Sequence, residues 1–214
     1  MTVTVSSLAE LVARAEALAA GPRRVLGIAG PPGGGKSTVA EAVVAALGDR
    51  AALVPMDGFH LAQAQLERLG RADRKGAPDT FDAEGYAALL RRLRDPGGVT
   101  VYAPAFRREI EEPVAGAVAV APEVPLVVTE GNYLLLEDGP WAQVLGLLDE
   151  TWLVRGDEEV RVERLIARHV RFGRSPEEAR EWVLRSDEAN AALVAERSAT
   201  PDVVVDAHAM VLPG

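Results

Sequence analysis

Residues 30–37 read Gly30-Pro31-Pro32-Gly33-Gly34-Gly35-Lys36-Ser37, with Thr38 next, and no other run constrains the chain as strongly. An apolar stretch, 25–29, precedes it and a helical pattern over 36–47 follows. A glycine-rich turn between a strand and a helix can curl successive amide N–H groups around phosphate oxygens, because glycine accepts dihedrals that a Cβ forbids. The start of the helix adds unpaired N–H donors and a positive dipole end. Lys36 is then spaced to reach the β- and γ-phosphates, and the Ser37 hydroxyl to ligate Mg²⁺. The expected nucleotide contacts are Gly30, Pro31, Pro32, Gly33, Gly34, Gly35, Lys36, Ser37 and Thr38, with a nucleoside triphosphate and Mg²⁺ as the ligands. Lysine occurs only twice in the chain, at Lys36 and Lys75. That scarcity follows from a bias towards arginine, but it makes each retained lysine worth reading.

The rest of the chain alternates strand and helix patterns. Ser6 or Ser7 caps a helix carrying Leu8, Leu11, Val12, Ala15 and Leu18. Strands are expected at 25–29, 51–56, 125–129, 151–154 and 203–205, and helices at 36–47, 59–69, 157–172 and 176–199, the last two broken at Gly173. Asp82 is placed to cap a helix through Tyr86, Leu89, Leu90 and Leu93. Residues 99–106 and 114–120 read as short strands or a hairpin beside the main sheet. The expected fold is a three-layer α/β domain over residues 1–214, with a largely parallel five-stranded sheet. Residues 99–120 form a small strand insertion on the acceptor side, and 157–185 an arginine-rich, small helical lid.

Two acids end apolar strands, where the active crevice of a parallel sheet lies. Glu130 closes the run Leu126-Val127-Val128-Thr129 and is expected to join Ser37 at the metal; a solvated acid is the plain alternative. Asp57, in Met56-Asp57-Gly58-Phe59-His60, suits a carboxylate that orients an acceptor hydroxyl and takes its proton. A helix cap, or an acid orienting Mg²⁺-bound water, competes with that role. His60 is weighed evenly between touching the acceptor and being a structural histidine.

Arg161, Arg164, Arg168 and Arg171 recur on one side of a helix. Arg164 and Arg168 are the expected catalytic arginines, closing on the phosphates together with Lys36, against the alternative of a salt-bridged surface helix with Glu158, Glu159 and Glu163. Arg107 and Arg108 either bind an anionic or polyhydroxylated acceptor or form a solvated basic pair.

Together the loop 30–37, Asp57-Gly58-Phe59, Arg74-Lys75-Gly76-Ala77-Pro78 ahead of Phe81-Asp82, residues 102–108, Glu130-Gly131-Asn132 and the arginine helix resemble the P-loop kinases. That group includes uridine kinase, phosphoribulokinase and bacterial type I pantothenate kinase. The chain is most similar to the bacterial branch labelled nucleoside/nucleotide kinase or fructose-transport kinase-like, with its Asp-Gly-Phe-His segment and Glu130-Gly131-Asn132-Tyr133-Leu134-Leu135 run. The resemblance implies a P-loop NTPase fold with Asp57 as base, Glu130 as the magnesium-associated acid and Arg164 and Arg168 as lid arginines. It also implies Arg108 or Tyr102 as an acceptor contact. Gly58 and His60 depart from the uridine kinase pattern.

The expected activity is ATP-dependent transfer of the γ-phosphoryl group to a hydroxyl of a nucleoside, sugar or pantothenate-like acceptor. The alternative is a regulatory or non-catalytic nucleotide-binding protein; Asp82-Ala83-Glu84-Gly85 matches D-x-x-G, but at a helix start instead of a strand exit and with no Asn-Lys-x-Asp sequence for guanine in the chain. A net charge of −9 disfavours broad nucleic-acid binding, and no apolar run is long enough to span a bilayer. The absence of cysteine excludes disulfides, thiol nucleophiles and Cys-based metal sites, and suits a cytoplasmic location. A homodimer is left open.

Overall fold

The computed structural model describes residues 2–208 and Met210. Its first half contains β1 (Val3–Val5), α1 (Leu8–Leu18), β2 (Arg24–Ala29), α2 (Lys36–Leu47), β3 (Ala51–Pro55), α3 (Gln63–Arg68) and α4 (Ala83–Arg94). The second half contains β4 (Val101–Arg107), β5 (Glu112–Val120), β6 (Leu126–Gly131), α5 (Ala142–Leu145), β7 (Glu150–Arg155), α6 (Glu158–Arg171), α7 (Pro176–Trp182), α8 (Glu188–Arg197) and β8 (Val203–Asp206).

Six strands form one parallel sheet in the order β1-β8-β7-β2-β6-β3. Parallel strands covered on both faces read as continuous apolar runs, and β6 is buried at every residue. One apolar cluster joins α4 and α5 to one face through Tyr86, Leu90, Leu93 and Val144. A second joins α1 and α2 to the other through Leu11, Ala15, Val39 and Val43. This is the expected three-layer α/β architecture, with one strand more than the five expected. The addition, β1, is a three-residue edge strand paired with β8, too short to leave a periodic signal.

Three other segments differ from the sequence reading. Residues 59–69 are helical only over Gln63–Arg68, because Met56–Phe59 is a 3₁₀ turn and His60 bridges Phe81 in extended conformation. The segment 176–199 is interrupted by a π-turn at Val183–Asp187 between α7 and α8. The short α5, preceded by a 3₁₀ turn at Gly139–Trp141, was not expected. Strands β4 and β5 make a separate antiparallel ribbon with a register shift between Ala103 and Ala105.

Asp82 is the N-cap of α4, its carboxylate accepting from the Gly85 amide at 2.8 Å. Helix capping therefore accounts for the D-x-x-G spacing. Ser175 and Glu178 form a reciprocal capping box at the start of α7. No helix among the described residues is long and apolar enough to cross a membrane.

Candidate active site

Strand order builds the site. Strand β6 lies between β2 and β3, with Glu130 in register with Ile28 on one side and Pro55 on the other. The glycine loop leaves the carboxyl end of β2, Asp57 follows β3, and Glu130 and Asn132 lie at the end of β6. Three segments far apart in sequence thus open into one crevice at the strand ends. That crevice is a cavity of about 1490 Å³. Pro32, Gly33, Gly35, Lys36, Ser37, Thr38, Asp57, His60, Arg108, Glu130, Arg164 and Arg168 all line it.

The loop is shaped by close approach as well as by dihedral freedom. Gly33 has φ +74°, and a Cβ there would meet Leu165 at 2.6 Å and the Arg161 carbonyl at 3.2 Å. Helix α6 therefore rests directly on the loop. Arg161 is buried and ties the two together, donating to the Pro32 carbonyl at 3.1 Å and pairing with Glu158 and Glu188. Its place in the arginine row is structural, whereas Arg164, Arg168 and Arg171 line the cavity. Arg168 is half-buried, its carbonyl accepts from the Phe172 amide at 3.2 Å, and its guanidinium makes no ion pair or hydrogen bond with any described residue.

Lys36 is buried, and Nζ donates to the Pro31 carbonyl at 2.9 Å and to Asn132 Oδ1 at 2.7 Å. Burial lowers its pKa, opposed by Glu130 and Asp57. An ammonium held by two neutral oxygens inside a glycine cradle suits the triphosphate of a nucleotide. In the sequence Asn132 stood only as part of the Glu130-Gly131-Asn132 run, with no role assigned to it; the signal available was its place two residues beyond Glu130. Asn132→Ala is expected to destabilise the nucleotide-free protein by about 1–3 kcal/mol, because a buried cation loses an acceptor. Thermal melts with and without a non-hydrolysable ATP analogue check this, the deficit shrinking once phosphates take over Lys36.

Glu130 is buried, and its pKa is pushed up to about 7 by burial and by Asp57, against Lys36, the Ser37 hydroxyl and Arg108. The hydroxyl–carboxylate pair is a hard oxygen donor set of the kind Mg²⁺ takes when phosphates and water complete its shell. Among the described residues no three His, Cys, Asp or Glu side chains cluster as metal ligands. The Ser37 hydroxyl and the Glu130 carboxylate fit a magnesium ion brought with its nucleotide.

Asp57 lies in the 3₁₀ turn after β3 and pairs with Arg108 at 3.5 Å. Gly58 permits that turn to pack against the ribbon, since a Cβ there would meet the Pro104 carbonyl oxygen at 2.4 Å. The His60 ring packs on Phe81 and Phe106, with centroids 4.0 and 4.7 Å away. His60 Nδ1 lies 2.8 Å from the Asp57 carbonyl, which can only accept, so the proton sits on Nδ1. Burial lowers the His60 pKa, keeping the ring neutral with Nε2 as an acceptor. His60 therefore combines packing with a polar atom available to the cavity.

The remaining expected contacts stand apart. Tyr102 is 62% exposed on the ribbon and does not line the cavity. Arg107 is exposed between Phe106 and Arg108, which do line it, because consecutive residues of a strand face opposite ways. Gly30, Pro31 and Gly34 shape the loop from behind, the Pro31 carbonyl accepting from Lys36 and from the Gly34 amide. Sequence reasoning assigned no role to the His169–Asp187 pair at 2.9 Å, nor to Trp182, on which Arg174 stacks at 4.0 Å. Both lie on the cavity wall made by α6, α7 and the π-turn.

No protein-family model matches the chain. It is 35% identical over 213 residues to a protein of Schizosaccharomyces pombe named "Putative uridine kinase", covering 94% of this chain and 91% of that one. The "ATP-dependent kinase-like protein notR'" of Aspergillus versicolor is 40% identical over 131 residues, covering 58% and 76%. Among solved structures, the "putative fructose transport system kinase" of Silicibacter sp. TM1040 superposes with a TM-score of 0.82 at 32% identity, covering 92% of this chain and 98% of that one.

Proposed function

The chain belongs to the P-loop kinase family related to uridine kinase and fructose-transport kinase, and on that basis we propose that it transfers the γ-phosphoryl group of ATP to a hydroxyl of a nucleoside, sugar or pantothenate-like acceptor. The observation that carries this reading is the convergence of the glycine loop, Glu130 and Asp57 at three adjacent strand ends in one cavity.

In this reading the loop amides and Lys36 hold the phosphates. Ser37 and Glu130 would hold a magnesium ion, which would supply positive charge against the phosphate oxygens of the donor. Asp57 orients the acceptor hydroxyl and takes its proton as the O–P bond forms, while ADP leaves with the electrons of the breaking bond. Arg164 and Arg168, carried on α6, stabilise the charge that shifts during transfer. The helical segment 157–185 acts as a lid over the nucleotide, excluding the water that would otherwise take the phosphoryl group. The ribbon within 99–120 walls the acceptor side through Phe106 and Arg108.

The test is transfer from γ-labelled ATP to a panel of uridine, cytidine, pantothenate, fructose and ribulose 5-phosphate. Label appearing in an organic product, at a rate above acceptor-free hydrolysis, is the expected result. ATP binding with hydrolysis alone across the panel would instead support a nucleotide switch.

A further inference from the structure

Lys75 has no part in the nucleotide site, yet it lines the same cavity. Its neighbours in the loop after α3 are neutralised: Arg71 and Arg74 pair with Asp79 at 3.3 and 2.8 Å. Lys75 makes no ion pair among the described residues. Nζ donates to the Glu111 carbonyl at 2.6 Å and approaches Gln63 Oε1 at 3.5 Å, both neutral oxygens. Glu111 holds that carbonyl from a left-handed backbone, φ +53°, the one positive φ at a non-glycine residue among those described. Such conformations persist where the surroundings impose them.

The ammonium lies 5.4 Å from the Phe106 ring centroid, and the Arg108 guanidinium 6.0 Å from the same centroid. His60 packs on that ring, and its charge environment includes Asp57, Lys75 and Arg108 together. Two cations therefore flank one aromatic plate next to the carboxylate assigned to the acceptor hydroxyl. Arg108 has Asp57 as its ion partner, and Lys75 has none. A neutral acceptor would leave the Lys75 charge uncompensated once closure excludes water, whereas an anion would pair with it.

Resting on the kinase reading above, we propose that the acceptor is a hydroxy compound carrying its own anionic group, a carboxylate or a phosphate, bound between Lys75 Nζ and the Arg108 guanidinium. The hydroxyl faces Asp57 and His60, and the anion lies towards the loop that carries Lys75. Lys36 serves the donor phosphates and Lys75 the acceptor.

Two measurements test this. Transfer is compared over matched neutral and anionic acceptors: glycerol with glycerate and glycerol 3-phosphate, and fructose with fructose 6-phosphate. Transfer to anionic members is expected, with Lys75→Met raising their KM by about 10- to 100-fold, the scale of one charge-assisted hydrogen bond, and changing kcat far less. Preference for carboxylate or phosphate members identifies the group. In parallel, lysine labelled with ¹³C at Cε gives two side-chain resonances. With the nucleotide site filled by Mg²⁺ and a non-hydrolysable ATP analogue, inorganic phosphate or glycolate should shift the Lys75 resonance saturably in the wild type and not in Arg108→Gln. Transfer to neutral members alone, or a Lys75 resonance unmoved by both probes, overturns the proposal. A saturable shift with no transfer to any acceptor leaves the anion site standing and overturns the kinase reading instead.

Discussion

Asp57→Asn is expected to lower kcat for phosphoryl transfer by roughly 10²- to 10⁴-fold, the range over which a positioned general base contributes. Asparagine keeps the size and the hydrogen-bonding oxygen but cannot accept the hydroxyl proton. Asp57 lies after β3 and touches Arg108, not the glycine loop, so the dissociation constant for an ATP analogue should change by less than about threefold, well under the scale of one charge-assisted contact. Stopped-time transfer assays and equilibrium nucleotide binding separate the two effects. Near-normal turnover would remove the base assignment and leave Asp57 as a partner of Arg108 alone.

Lys36→Met is expected to reduce kcat/KM for ATP by roughly 10²- to 10³-fold, the cost of losing one preorganised charge aimed at a reacting group. Methionine keeps an unbranched chain of similar length, so the cradle behind the loop stays filled. The ammonium it replaces is buried against neutral oxygens and carries a desolvation cost in the nucleotide-free protein. The variant should therefore melt no lower than the wild type without nucleotide. It should gain less than the wild type when ATP is added, because ligand stabilisation scales with affinity. A stable but inactive protein is the expected outcome; an active one would detach Lys36 from the phosphates.

Much of this architecture was legible in the chain. The glycine loop carries its own strand and helix on either side, and β6 reads as a buried strand because every one of its residues is inside. The Ser175 capping box and the Asp82 cap are local devices, set within four residues, and sequence spacing suffices to find them. Reading failed where tertiary contact overrode local pattern. The helical reading of 59–69 starts four residues early because His60 is taken up by Phe81 and Phe106. The arginine row of α6 is regular, but burial divides it: Arg161 is fixed by Glu158, Glu188 and the Pro32 carbonyl, and the Arg168 guanidinium is left facing the cavity without a partner among the described residues. The place of Asn132 two residues beyond Glu130 was legible, but its bond to Lys36 spans 96 residues and no local spacing reports it.

The sequence alone determined that a phosphate-cradling loop sits between a buried strand and a helix, because the conformational freedom of glycine and the charge of Lys36 act over a few adjacent residues. Only the tertiary structure decided which acids that loop meets. Inserting β6 between β2 and β3, in register at Ile28, Glu130 and Pro55, brings two distant carboxylates to one crevice. Packing the loop after α3 against the ribbon brings Lys75 to the same cavity. Strand order is fixed by the burial of whole sheet faces, a property that no short stretch of chain contains.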